Sequence, residues 1–178
     1  MIRRLIAGLA LCLVMAAPAA AQIRIAIVDL NTVSQHCRVA IDADAQLFAL
    51  FGSERDELEA IAADLNAQYE ELSVQAAIMS ESAVNSKFQD LQARAANLEN
   101  RSQDYAQRLN YVQQYLTMQM QEVLALACSD YAMRNGFDLI LDGQTVLYLS
   151  NNLDVTVDII AEVDRVWEAR GSKFNLPN

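Results

Sequence analysis

Five apolar side chains, Phe51, Leu58, Leu65, Leu72 and Met79, recur at strict seven-residue spacing. A second ladder alternates steps of four and three. It runs from Val84 through Phe88, Leu91, Ala95, Leu98, Ser102, Tyr105, Leu109, Val112, Leu116, Gln119 and Val123 to Leu126, and eleven of its thirteen positions are apolar. A 3.5-residue period of this length is the seam of a coiled coil rather than the broad face of a globular helix. Neither Gly nor Pro occurs in the 83 residues from Ser53 to Asn135, so no breaker interrupts the helical reading. The polar Ser80-Glu81-Ser82 between the ladders predicts the turn, which places a helical hairpin over about residues 32–135 with its tip at 80–82. Facing positions of an antiparallel pair sum to a constant. Met79 with Val84, Leu72 with Leu91, Leu65 with Leu98, Leu58 with Tyr105 and Phe51 with Val112 all sum to 163. At a rise of about 1.5 Å per residue, such arms project about 70 Å.

The flanks change period. Ile23 to Leu30 is β-rich, with Ile at alternate positions 23, 25 and 27, and Thr32 with Gln35 reads as a capping box opening the first long helix. Beyond the hairpin, Arg134 and Gly136 form a helix C-terminus. Phe137–Leu141 and Gln144–Leu149 read as strands joined at Asp142-Gly143, whose positive-φ preference suits a tight hairpin turn. A closing helix follows, capped near Asp154, with Ile159, Ile160, Val163, Val166 and Trp167 as its apolar side. The pattern predicts an α+β fold: a small body of three strands plus a C-terminal helix (residues 22–31 and 136–170) carrying one long antiparallel coiled-coil hairpin. A body this small is marginal as an independent core and leaves strand edges open, which favours a homo-oligomer.

The N-terminus alters the composition that matters. Arg3 and Arg4, the apolar run Leu5–Ala17 and the A-x-A site Ala19-Ala20-Ala21 read as a secretory signal cleaved after Ala21, too short to span a bilayer. Leu11 before Cys12 does not suit a lipoprotein signal, which wants a small residue there. The mature chain, residues 22–178, forms a single domain. It keeps 11 of the 13 basic residues and all 23 acidic ones, a net charge of −12. That balance opposes binding to nucleic acid or to anionic membrane surfaces. Cys37 and Cys128 remain, an even pair in an oxidising compartment and so a candidate disulfide at the hairpin root. His36 is the only histidine, and one His with two Cys at irregular spacing does not make a zinc site.

Ile25-Ala26-Ile27-Val28-Asp29 with Val33 resembles the opening strand and helix start of the OmpH/Skp family of periplasmic holding chaperones. The C-terminal FDLILDGQTVLYL, Asp154-Val155-Thr156 and Ile159-Ile160 are similar to that family's closing block. The order of signal, strand, hairpin, strands and helix agrees over essentially the whole mature chain. The resemblance implies a jellyfish-like homotrimer in the periplasm that holds unfolded outer-membrane proteins between its arms without ATP, and it brings no catalytic residue, cofactor or metal. The best-known members are strongly basic, whereas this chain is strongly acidic.

Away from the seam, Tyr69, Val74, Ile78, Tyr111, Tyr115 and Met118 are the candidate client-contact residues, because Tyr and Met give large contact area with soft geometry. Local packing between arms, or covering the body, is the alternative role for each. A structural adaptor that binds a folded partner through the hairpin tip draws on the same ladders. Enzymatic readings lack support: Asp42 with Asp44 and Glu57 with Glu59 are two residues apart, on different helix faces, and no nucleophile, phosphate-loop or His-based motif is present.

Overall fold

The computed structural model describes residues 23–148 and 150–176, so the expected signal over residues 1–21 lies outside them. Branched apolar residues form β1 (Ile25–Val28), which pairs in parallel with β2 (Leu139–Asp142), Ile25 opposite Leu139 and Val28 opposite Asp142. Parallel neighbours require a long crossover, and here the whole helical hairpin serves as that connection.

Helix α1 (Leu30–His36) begins at Asp29, whose Oδ1 accepts the amides of Asn31 and Thr32 at 3.0 and 3.2 Å. The expected capping box at Thr32 and Gln35 does not form. Asp29 caps three residues earlier, and the Thr32 hydroxyl donates to Asp29 Oδ2 at 2.7 Å. Nor does the long helix start here. Cys37 adopts an extended backbone (φ −77, ψ 149), and α2 (Arg38–Gln75) restarts beyond it, with the Arg38 amide donating to Asp164 Oδ1 at 2.7 Å.

Helix α2 has 38 residues and α3 (Glu81–Asn135) has 55, lengths of about 57 and 83 Å. The turn lies earlier than the polar tripeptide predicts. Ser80 is the N-cap of α3, its Oγ accepting the Ala83 amide at 3.3 Å, so the connection centres on Ile78 rather than Glu81. The facing register moves with it. Phe51 meets Tyr105 edge-on at 5.8 Å, Arg94 pairs with Asp64 and Arg101 with Glu57, positions that sum to 156–158 instead of 163. Phe51 thus faces Tyr105, one heptad from the expected Val112. At the other end of α3, Gly136 takes the left-handed conformation (φ 68, ψ 36) and its amide donates to the Ala132 carbonyl.

The sheet has two strands, not three, among the described residues. Asp142 Oδ1 accepts the Gln144 amide at 3.1 Å and the Thr145 hydroxyl donates to the Asp142 carbonyl at 2.7 Å, which diverts the chain into a 3₁₀ turn over Gly143–Thr145. The expected hairpin turn needs φ > 0 at Gly143, but only Gly136 and Gly171 among the described glycines adopt it. Residues 146–148 consequently form no strand. A second 3₁₀ turn (Asn151–Leu153) leads to α4 (Thr156–Ala169), where Asp154 Oδ1 accepts the Thr156 amide at 2.9 Å and its hydroxyl at 2.6 Å.

One core joins these parts. Ala26 and Val28 of β1, Val33 of α1, Val39 of α2, Val123 and Ala127 of α3, and Ile159, Val163, Val166 and Trp167 of α4 are buried together. Full burial of each large side chain stabilises by about 1.5–3 kcal/mol, so α4 is what fastens both arm helices to the sheet. Cys37 and Cys128 belong to this core but are free thiols here. Cys37 lines a groove with Met120 and Leu124, whereas Cys128 lines the adjoining one with Val28, Leu30 and Ile140, farther along α3. Burial pushes both thiols up from their ordinary pKa.

Candidate functional site

The hairpin separates into a seam and two flanks. Leu58, Leu65, Leu72, Leu91, Leu116 and Val123 are buried along the seam. One flank carries Arg94, Arg101 and Arg108 at heptad spacing. Each reaches across to α2: Arg94 to Asp64 at 2.7 Å, Arg101 to Glu57 at 2.9 Å and Arg108 to Glu54 at 2.7 Å. Hydrogen bonds from Gln68 and then Arg94 hold the Asp64 carboxyl below its ordinary value. Tyr69 marks the opposite flank, edge-on to Phe88 at 6.2 Å.

Against this frame the six candidate residues fall into different roles. Val74 and Ile78 stand at the tip, 78% and 86% exposed. Tyr111 and Met118 are exposed seven residues apart on one face of α3 (58% and 55%), and Tyr115 lies half-buried between them. Tyr69 is half-buried against Phe88 and the Leu65–Leu72–Leu91 cluster, so it holds the two helices together. The stretch from Leu109 to Gln121 carries no charged residue.

Two exposed side chains on α2, Ile41 and Phe48, were not singled out from the sequence. They sit four and three heptads before Tyr69, on the face that Tyr69 marks, while Tyr115 continues the heptad of the three arginines. Carrying the heptad count onto the flanks, instead of the seam alone, finds both.

Three of the four paired carboxylates have structural partners, and Asp44 is exposed. Asp42 accepts the Trp167 indole N–H at 2.6 Å, Glu57 binds Arg101, and Glu59 lies 3.9 Å from Arg55. At the root, buried Glu162 accepts from Arg165 and Arg134, which hold its carboxyl below the ordinary value, and Arg165 also reaches Asp130 at 3.1 Å. Among the described residues no group of three or more His, Cys, Asp or Glu side chains is arranged to hold a metal ion, and no helix is long and apolar enough to cross a membrane. What the hairpin offers is a projecting support with adaptable apolar side chains on its outer faces.

Comparison with known proteins points the same way. The family described as outer membrane protein (OmpH-like) matches residues 24–163. The chaperone protein Skp of Pectobacterium atrosepticum is 24% identical over 157 residues, covering 88% of this chain and 95% of that protein. A crystal structure described as an OmpH-like outer membrane chaperone, from Caulobacter crescentus, superposes with a TM-score of 0.65 at 17% identity, over 89% of this chain and 91% of that one.

Proposed function

This chain belongs to the OmpH-like outer membrane protein family, and from that premise we propose that it is a non-enzymatic, ATP-independent holding chaperone of the periplasm. It binds unfolded outer-membrane proteins between its arms and acts as a homotrimer. The observation that carries this reading is the set of exposed Tyr, Met, Phe and aliphatic side chains on helices whose packing needs are already met by the seam. An unfolded client presents apolar segments in no fixed geometry. Tyr and Met accommodate such segments without demanding one rotamer, and contacts of this kind release again without an energy source. The trimer is supported by the body. Leu139 on β2 and the following Leu147 and Tyr148 are exposed in the single chain, and an oligomer would cover them.

The test is suppression of aggregation of an unfolded outer-membrane protein by the mature chain without nucleotide, together with the mass of the assembly. Removing residues 66–72 and 84–90, which lie opposite each other about the turn, shortens both arms by one heptad and keeps the seam in phase. Protection should fall while the oligomer persists. Undiminished protection by arms shortened through successive heptads would move the function into the body. The exposed tip residues Val74 and Ile78 favour a second reading, an adaptor that docks one folded partner. In that case the mature chain would capture one folded partner, V74S/I78S would abolish that capture, and aggregation of unfolded proteins would not be suppressed.

A further inference from the structure

On the holding-chaperone reading above, we propose that the arms select unfolded polypeptide in which basic residues adjoin apolar ones. The sign of the accessible charge decides this. Arg55, Arg94, Arg101 and Arg108 each lie within 4.0 Å of a carboxylate of the same chain. Lys87 is the one other cation between residues 39 and 133; its ammonium donates to Gln75 Oε1 at 3.5 Å and has no described carboxylate within 4.0 Å. By contrast Asp44, Glu70, Glu71, Glu81, Asp90 and Glu99 are exposed and have no described cation partner within that distance. Glu71 and Glu99 accept only from the side-chain amides of Gln75 and Gln103. The arginine ladder, which in sequence looks like a basic stripe, is therefore neutralised within the hairpin, and the charge left for a client is negative.

Placement makes the preference local. Asp44 sits at i+3 from Ile41 and i−4 from Phe48, so an exposed carboxylate lies between the two exposed apolar side chains on one face of α2. Glu70 and Glu71 stand at i−4 and i−3 from Val74. Neighbours at these spacings are about 5–6 Å apart between Cβ atoms. A client segment that packs on Phe48 or Val74 must strip water from such a carboxylate, and only a Lys or Arg on the client compensates it at close range. An acidic client is repelled there within a Debye length of about 8–10 Å.

The experiment uses the full mature protein and three unstructured, fluorescently labelled polypeptides with the same apolar residues. Their polar positions carry Lys and Arg, Asp and Glu, or Asn and Gln. The basic polypeptide should bind about tenfold more tightly than the acidic one at about 50 mM salt, and the gap should narrow at about 300 mM. In D44N/E70Q/E71Q, affinity for the basic polypeptide should fall and affinity for the acidic one should rise. Binding of the neutral polypeptide with equal affinity for basic and acidic ones, or a preference for the acidic one, would overturn the selectivity alone. Failure to bind any of the three would overturn the holding-chaperone reading and this inference together.

Discussion

Trp167 is the side chain through which α4 grips the arm, and W167F measures that grip. The residue is only 2% exposed, its indole N–H donates to Asp42 Oδ2 at 2.6 Å, and its ring packs on Phe174 at 4.6 Å between centroids. Phe keeps most of the apolar packing but loses the donor. A hydrogen bond to a charged acceptor contributes about 1.5–3 kcal/mol, and Asp42 is only half-buried, so the lower end applies. The missing ring atoms add about 1 kcal/mol of cavity cost, giving a total of about 2–3 kcal/mol. For a chain of this size that lowers Tm by roughly 5–10 °C. D42A leaves the buried indole N–H without its partner and should cost about 1–3 kcal/mol. Because W167F/D42A removes donor and acceptor together, its cost should fall short of the sum of the single variants by about 1–2 kcal/mol. Trp167 is the only tryptophan, so far-UV circular dichroism must follow unfolding, at one fixed protein concentration. Additive costs in the cycle would show that the 2.6 Å contact does not join α4 to α2.

Glu162 has its carboxyl pKa held down in the folded protein, so its contribution to stability is present above its unfolded pKa, ordinarily near 4.5, and is lost as pH falls through the folded value. Thermal melts should be flat near neutrality and decline in acid, with a smaller decline in E162Q. The triple substitution R94Q/R101Q/R108Q should lower Tm more at low salt than at high salt, since exposed cross-helix ion pairs are screened; an equal loss at both would assign the arginines a packing role instead. Two thiols should titrate in the unreduced, denatured protein, and both should react slowly in the native state, where burial keeps them protonated. Loss of both thiol equivalents without a reductant would mean that oxidation draws Cys37 and Cys128 together.

The seven-residue ladders and the 83-residue run without Gly or Pro determined the hairpin on their own, because a coiled-coil seam is a local periodic property that each helix carries before it meets its partner. Gly136, Arg134 and the apolar side of α4 were legible for the same reason: caps and amphipathic faces are written within one or two turns. Exact facing was not. Ser80-Glu81-Ser82 can equally form a turn or cap a helix, and only the packing of Phe51 on Tyr105 and Arg101 on Glu57 chose the cap and moved the register. The third strand failed similarly, since the Asp142 carboxylate competed for the Gln144 amide and gave a 3₁₀ turn where the dipeptide alone reads as a hairpin. The arginine heptad shows the limit most clearly. Sequence displays three cations on a helix face, but the carboxylates that neutralise them lie 30 to 54 residues away, and only the folded hairpin brings them within 3 Å. Periodicity along one helix is fixed by local sterics and burial, whereas the charge a partner meets depends on which distant side chains share the same few ångströms.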